Sequence, residues 1–128
     1  MLSKDTVAFL CANGGQLLDA AYPEVLGDAV RVPIPCASRL DVVHVLRAVE
    51  QGARRVLVVA CPAGNCRSMV GPDEAERRLH RAAALLREAG SHAQCILARA
   101  AANAPEDLRS TLAASLEDAA NQIEEAPA

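Results

Sequence analysis

The run Val56-Leu57-Val58-Val59-Ala60 constrains this chain more than any other feature. Charge precedes it at Arg54 and Arg55, and turn residues follow at Pro62, Gly64 and Asn65. A short, valine-rich run that is apolar at consecutive positions has the pattern of a fully buried strand. Cys61 follows the run at once, and Cys66 comes later in the same loop. Both thiols are therefore expected at the C-terminal lip of a buried strand, the edge at which open α/β sheets bind their ligands.

The rest of the chain repeats the same unit. Thr6 to Leu10 is a short apolar run that ends at Cys11 and Ala12-Asn13-Gly14-Gly15. A helix is predicted from about Gln16 to Ala21, stopped at Tyr22-Pro23 because a residue before proline resists the helical region. Ala29 to Ile34 is a second run, and its Pro33 implies a strand that stops early or lies at an edge. It leads into Pro35-Cys36-Ala37. Ser38 to Asp41 fits a helix start, with Ser38 as the cap and an acid three residues on, followed by Leu40, Val43, Leu46 and Val49 at helical spacing. Gly52 is the stop.

Pro72-Asp73-Glu74 opens the next helix, with Leu79, Ala82, Ala83, Leu86 and Ala89 as its stripe and Gly90 at its end. Ala93 to Ala98 is a fourth strand containing Cys95. Pro105-Glu106-Asp107 opens a last helix carrying Leu108, Leu112, Leu116, Ala119 and Ile123, and the tail 124–128 is expected to fray. Strand and helix thus alternate throughout. The pattern predicts a single flavodoxin/Rossmann-like three-layer α/β domain over 1–128, with a roughly four-stranded parallel sheet and right-handed crossovers.

Composition excludes several functions. At 128 residues and 52% apolar, the chain can bury a core and does not read as disordered. A formal charge of −3 without a basic stripe argues against nucleic acid, and one Tyr, one Phe and no Trp argue against base stacking. The segment Met1 to Cys11 lacks the pattern of a signal peptide. No apolar run approaches the roughly 20 residues of a membrane span, so a cytoplasmic protein is expected.

Five cysteines remain to be explained. In a reducing compartment, clustered cysteines point to metal or redox chemistry rather than to disulfides. Cys11 follows the first strand, Cys36 the second and Cys61 the third, with Cys66 in the same loop as Cys61. Strands of a parallel sheet end on one side, so these thiols converge on one rim. Cys95 falls inside a strand and is expected to be a small buried side chain. Thiolates on loops can enclose a soft metal, an iron–sulfur cluster or a Cys-only zinc ion. Paired CxxC knuckles, the usual zinc arrangement, are absent. One ligand from each of two loops and a pair from a third is more like a cluster cradle. Ala12, Gly14, Gly15, Ala37, Ala63 and Gly64 leave room there and offer backbone N–H donors, although turn geometry alone also accounts for glycines.

These residues bring a family into view. Cys36-Ala37-Ser38-Arg39-Leu40-Asp41, then Gly52-Ala53, then Cys61-Pro62-Ala63-Gly64-Asn65-Cys66 resemble the delta subunit of methyl-viologen-reducing hydrogenase. Ala8-Phe9-Leu10-Cys11 is similar to the family's opening. The resemblance implies a [2Fe-2S] electron-transfer subunit that performs no bond chemistry itself. It implies cluster ligation by Cys11, Cys36, Cys61 and Cys66. It also implies partners: a flavin-containing heterodisulfide-reductase-like subunit and another redox subunit such as a hydrogenase or formate dehydrogenase. Two departures stand out. Gly14 occupies the place of a second thiol in the family's opening CxxC, and Arg67 the place of its histidine after the loop. His44 and His80 fall within predicted helices and read as structural or solvated.

Two other readings compete. Cys61 to Ser68 also has C-x5-R-S spacing, which resembles the phosphate loop of cysteine-dependent phosphatases and arsenate reductases. There Cys61 would be the nucleophile, Arg67 would hold phosphate oxygens and Ser68 would assist the leaving thiolate. Asp73 is the nearest candidate acid, at an expected helix start, and Cys11 and Cys36 would have no role. The other is an interaction module whose thiols only pack, since fold alone does not settle function.

Overall fold

The computed structural model describes residues 2–60 and 71–125, with side chains described through 60 and from 73 to 115. Strand β1 (Thr6–Cys11) leads through α1 (Gly15–Ala21) and a 3-10 turn (Pro23–Val25) to β2 (Val30–Ile34). A second 3-10 turn (Ala37–Arg39) precedes α2 (Val42–Glu50) and β3 (Arg55–Ala60). Then come α3 (Gly71–Glu88), β4 (Gln94–Arg99) and α4 (Pro105–Glu125). Residues 126–128 of the tail lie outside the described residues.

The sheet is parallel throughout, in the order β2-β1-β3-β4. The order follows from side-chain chemistry. Val56 to Ala60 have no exposed surface, and Ala8 to Cys11 are likewise buried, so β3 and β1 take the centre, covered on both faces. β2 carries Pro33, which brings no N–H to a ladder, and it lies at the edge as expected. Because side chains alternate along a strand, two cores form. Phe9, Val56, Val58 and Ala60 pack with Val45 of α2 and with Leu79, Ala82 and Leu86 of α3. Ala8, Leu10, Leu57 and Val59 pack with Leu18 of α1 and with Leu108 and Leu112 of α4. The result is the expected three-layer α/β arrangement. Leu116, Ala119 and Ile123 lie beyond the residues whose side chains are described.

The predicted start of α2 is corrected. Ser38 lies in the 3-10 turn, and the helix begins at Val42. Leu40 is fully buried and its backbone is extended, with φ −69° and ψ 127°, which interrupts the helical path. Asp41 is the true cap. Its carboxylate accepts from the Val42 N–H at 2.6 Å, and its own N–H donates to His44 Nδ1 at 2.9 Å. On this helix Val45 and Ala48 are buried, and Val42, Leu46 and Val49 pack partly buried against the same core, while Val43, expected in the stripe, is exposed. Gly52 and Gly90 end α2 and α3 with φ 111° and 83°, left-handed values that favour glycine. β4 runs one residue later than predicted, at Gln94–Arg99.

Arg31 fastens the edge strand. Its Nε and Nη2 donate to Asp19 on α1 at 3.1 Å each, and its guanidinium also donates to the Pro23, Gly27 and Ala29 carbonyls. A fixed planar fork suits such a set of acceptors. Among the described residues, no helix is long and apolar enough to cross a membrane.

Candidate metal centre

The chain runs from β1 outward to β2, then crosses back to β3 on the other side of β1. α1 packs on one face of the sheet and α3 on the other. Such a reversal point, at the carboxyl ends of β1 and β3, is where open sheets of this class generally bind their ligands.

Cys11 is the last residue of β1, is 3% exposed and pairs in register with Ile34. Cys36 lies two residues beyond Ile34, in extended backbone with φ −155° and ψ 152°. Its carbonyl accepts from the Arg39 N–H at 2.9 Å. The two side chains pack against each other. Thus thiols separated in sequence meet at the strand rim because β1 and β2 are neighbours. β3 ends at Ala60, with Val59 beside Leu10, so the chain leaves the sheet at this same edge. Cys61, Cys66, Arg67 and Ser68 lie outside the described residues. Among the described residues, no group of three or more His, Cys, Asp or Glu side chains is placed to hold a metal ion.

The rim is held by polar contacts that sequence reasoning missed. Gln16 Nε2 donates to the Leu10 carbonyl at 2.9 Å and to the Ile34 carbonyl at 3.1 Å. Arg78 on α3 donates to the carbonyls of Ser38 and Leu40, fixing the turn after Cys36. Neither contact follows a local motif: the Gln16 bond to Ile34 spans 18 residues, and the two Arg78 bonds span 40 and 38. Gly15, read from sequence as room for a ligand or as a turn residue, has a third reason. A Cβ there would lie 3.0 Å from the Val59 carbonyl oxygen and 3.1 Å from Leu10 Cα. Only glycine lets α1 approach β1 and β3 this closely.

The histidines are accounted for elsewhere. His44 caps α2. His80 is exposed on α3, with Nε2 4.0 Å from Glu76 Oε1. Asp73, the candidate acid of the phosphatase reading, sits in the first turn of α3 and accepts from Arg99 at 3.0 Å. Its place in the first turn is the helix-start role expected from sequence, and the ion pair ties that turn to β4.

Cys95 lies within β4, away from the rim, partly buried against the α2–α3 core. Burial pushes its thiol up to about 11, with Arg87 opposing part of the shift. At pH 8 its alkylation is expected to be about a hundredfold slower in the folded protein than in the unfolded chain, because the thiolate is the nucleophile. Mass spectrometry of the peptide bearing Cys95 checks this. The sign for stability follows. The unfolded thiol loses its proton first, from about 9.0, so stability falls as pH rises from there to about 11.

A doubly wound α/β protein with two cysteines packed together at the carboxyl edge of its sheet is what the fold and the rim define. The family described as methyl-viologen-reducing hydrogenase, delta subunit, matches residues 7–125, and the chain belongs to that family. It is 39% identical over 88 residues to the iron-sulfur subunit of the F420-non-reducing hydrogenase vhu of Methanocaldococcus jannaschii, a match covering 66% of this chain and 66% of the relative. It is 32% identical over 88 residues to the subunit of the same name from Methanopyrus kandleri, covering 66% and 67%.

Proposed function

We propose that this chain is an electron-transfer subunit of a hydrogenase-type complex and holds a [2Fe-2S] cluster through Cys11, Cys36, Cys61 and Cys66. The observation that carries the reading is the packing of Cys11 against Cys36 at the ends of adjacent strands. The next strand over leads directly into Cys61 and the loop containing Cys66. The names of the two relatives, both iron-sulfur subunits, support it.

The donor set fits the group. Thiolates are soft ligands suited to iron–sulfur centres. With Gly14 in place of a further cysteine, all four thiols are assigned as ligands. When bound, a cluster supplies one-electron exchange; the chain itself makes and breaks no substrate bond. Cys11 brings a thiol almost removed from water, and burial of this kind helps set the potential of a bound centre. Cys36, half-buried, lies on the solvent side of the pair, where a partner can approach. The expected partners are a flavin-containing heterodisulfide-reductase-like subunit and a second redox subunit, in the reducing cytoplasm. The whole of 1–128 acts as one domain.

Iron and acid-labile sulfide analysis of anaerobically purified protein tests the reading, with visible and electron paramagnetic resonance spectra. About two irons and two sulfides per chain are expected for this cluster type. A colourless protein that takes up no iron on anaerobic reconstitution overturns it.

A further inference from the structure

We propose that Gln16 is the positioning residue of the thiol site, locking the ends of β1 and β2 so that Cys11 and Cys36 stay in contact. This rests on the reading of that rim as a ligand site. The carboxamide nitrogen has two N–H donors, and here they go to two different strands. One bond reaches the carbonyl of Leu10, immediately before Cys11. The other reaches the carbonyl of Ile34, two residues before Cys36.

A clamp is needed at this point for three reasons. The β1–β2 ladder ends at the pair Cys11–Ile34, so no later register pair holds the two ends together. Pro33, opposite Leu10, contributes no N–H to the ladder near its end. β2 is also an edge strand, so no further strand of the sheet restrains it on its outer side. Gln16 can bridge the gap because Gly15 lets the start of α1 settle against Leu10 and Val59. The side chain therefore acts through the backbone of the thiol-bearing strands.

The test begins with a parent bearing Cys61→Ser, Cys66→Ser and Cys95→Ser, which leaves Cys11 and Cys36 as its thiols. Dibromobimane, a short bifunctional alkylating reagent, is added to the folded parent and to Gln16→Met and Gln16→Glu versions. Mass spectrometry gives the ratio of intramolecular crosslink to doubly modified, uncrosslinked product. Methionine keeps the length without donors, and glutamate keeps the shape but puts an acceptor against two carbonyls. The expected result is about a tenfold lower ratio in both, the factor corresponding to about 1.4 kcal/mol of lost restraint. Circular dichroism confirms the fold, and if one variant does not fold the other decides.

In the chain with all its cysteines, Gln16→Met is expected to shift the paramagnetic signature or midpoint potential at unchanged iron content. Crosslink ratios equal to the parent's overturn the clamp. A Gln16-dependent crosslink in a protein that never binds iron upholds the clamp and refutes the cluster reading, so the two failures are distinguishable.

Discussion

Cys11→Ser and Cys36→Ser are each expected to abolish visible absorption and bound iron, whereas Cys95→Ser leaves both intact. Serine offers a hard, protonated oxygen where a soft thiolate is required. With Gly14 in place of another cysteine, the chain has no spare thiol at its opening strand to substitute. Cys95 is different because it sits inside β4 and its thiol is held protonated by burial. Cys61→Ser belongs with the first group. Cys11 needs one control, because it is 3% exposed and its serine variant buries a hydroxyl. Cys11→Ala, which removes the thiol without adding a polar group, separates loss of the ligand from burial of a hydroxyl: both variants are expected to lose iron, whatever each does to the stability of the apoprotein. Iron per chain and the melting temperature of the apoprotein are the measurements. Full absorbance in Cys11→Ser would contradict the ligand assignment.

Gly15→Ala is expected to destabilise the protein by about 1–2 kcal/mol, although alanine is the better helix former. Two effects oppose each other. Replacing glycine within a helix gains up to about 1 kcal/mol from propensity. Against it, the new methyl would stand 3.0 Å from the Val59 carbonyl oxygen and 3.1 Å from Leu10 Cα and Cβ. Those are mostly backbone atoms of the two central strands and cannot swing aside, so α1 must lift away. Overpacking of this kind costs about 1–3 kcal/mol and wins. A fall in Tm of roughly 4–8 °C by thermal denaturation is the expected reading. Lifting α1 also draws Gln16 away from Leu10 and Ile34, so the variant should show the shifted paramagnetic signature or midpoint potential expected of Gln16→Met. An unchanged or higher Tm would mean that the rim tolerates a side chain at Gly15.

Much of the architecture was legible because it is written in local periodicity. Val56 to Ala60 could be assigned to a buried strand from five consecutive apolar residues, and Pro33 to an edge from its missing N–H. The start of α2 was misplaced for the opposite reason. Ser38 and Asp41 have the residue types of a capping box, but burial of Leu40 in the α2–α3 core holds its backbone extended and moves the cap to Asp41. That force comes from other parts of the chain. The same holds for Gln16, whose second acceptor is 18 residues away, and for Arg78, whose acceptors lie 38 and 40 residues back.

The order of residues along the chain determined which segments become strands and which thiols follow them, and therefore that Cys11 and Cys36 come at one edge of a parallel sheet. It could do so because strand pattern and turn chemistry depend on neighbours a few positions apart. Only the tertiary structure decided that β1 lies between β2 and β3, that Cys11 packs against Cys36, and that Gln16 bonds the ends of both strands that lead to them. Those facts depend on which strands become adjacent, and adjacency is set by the packing of both sheet faces at once.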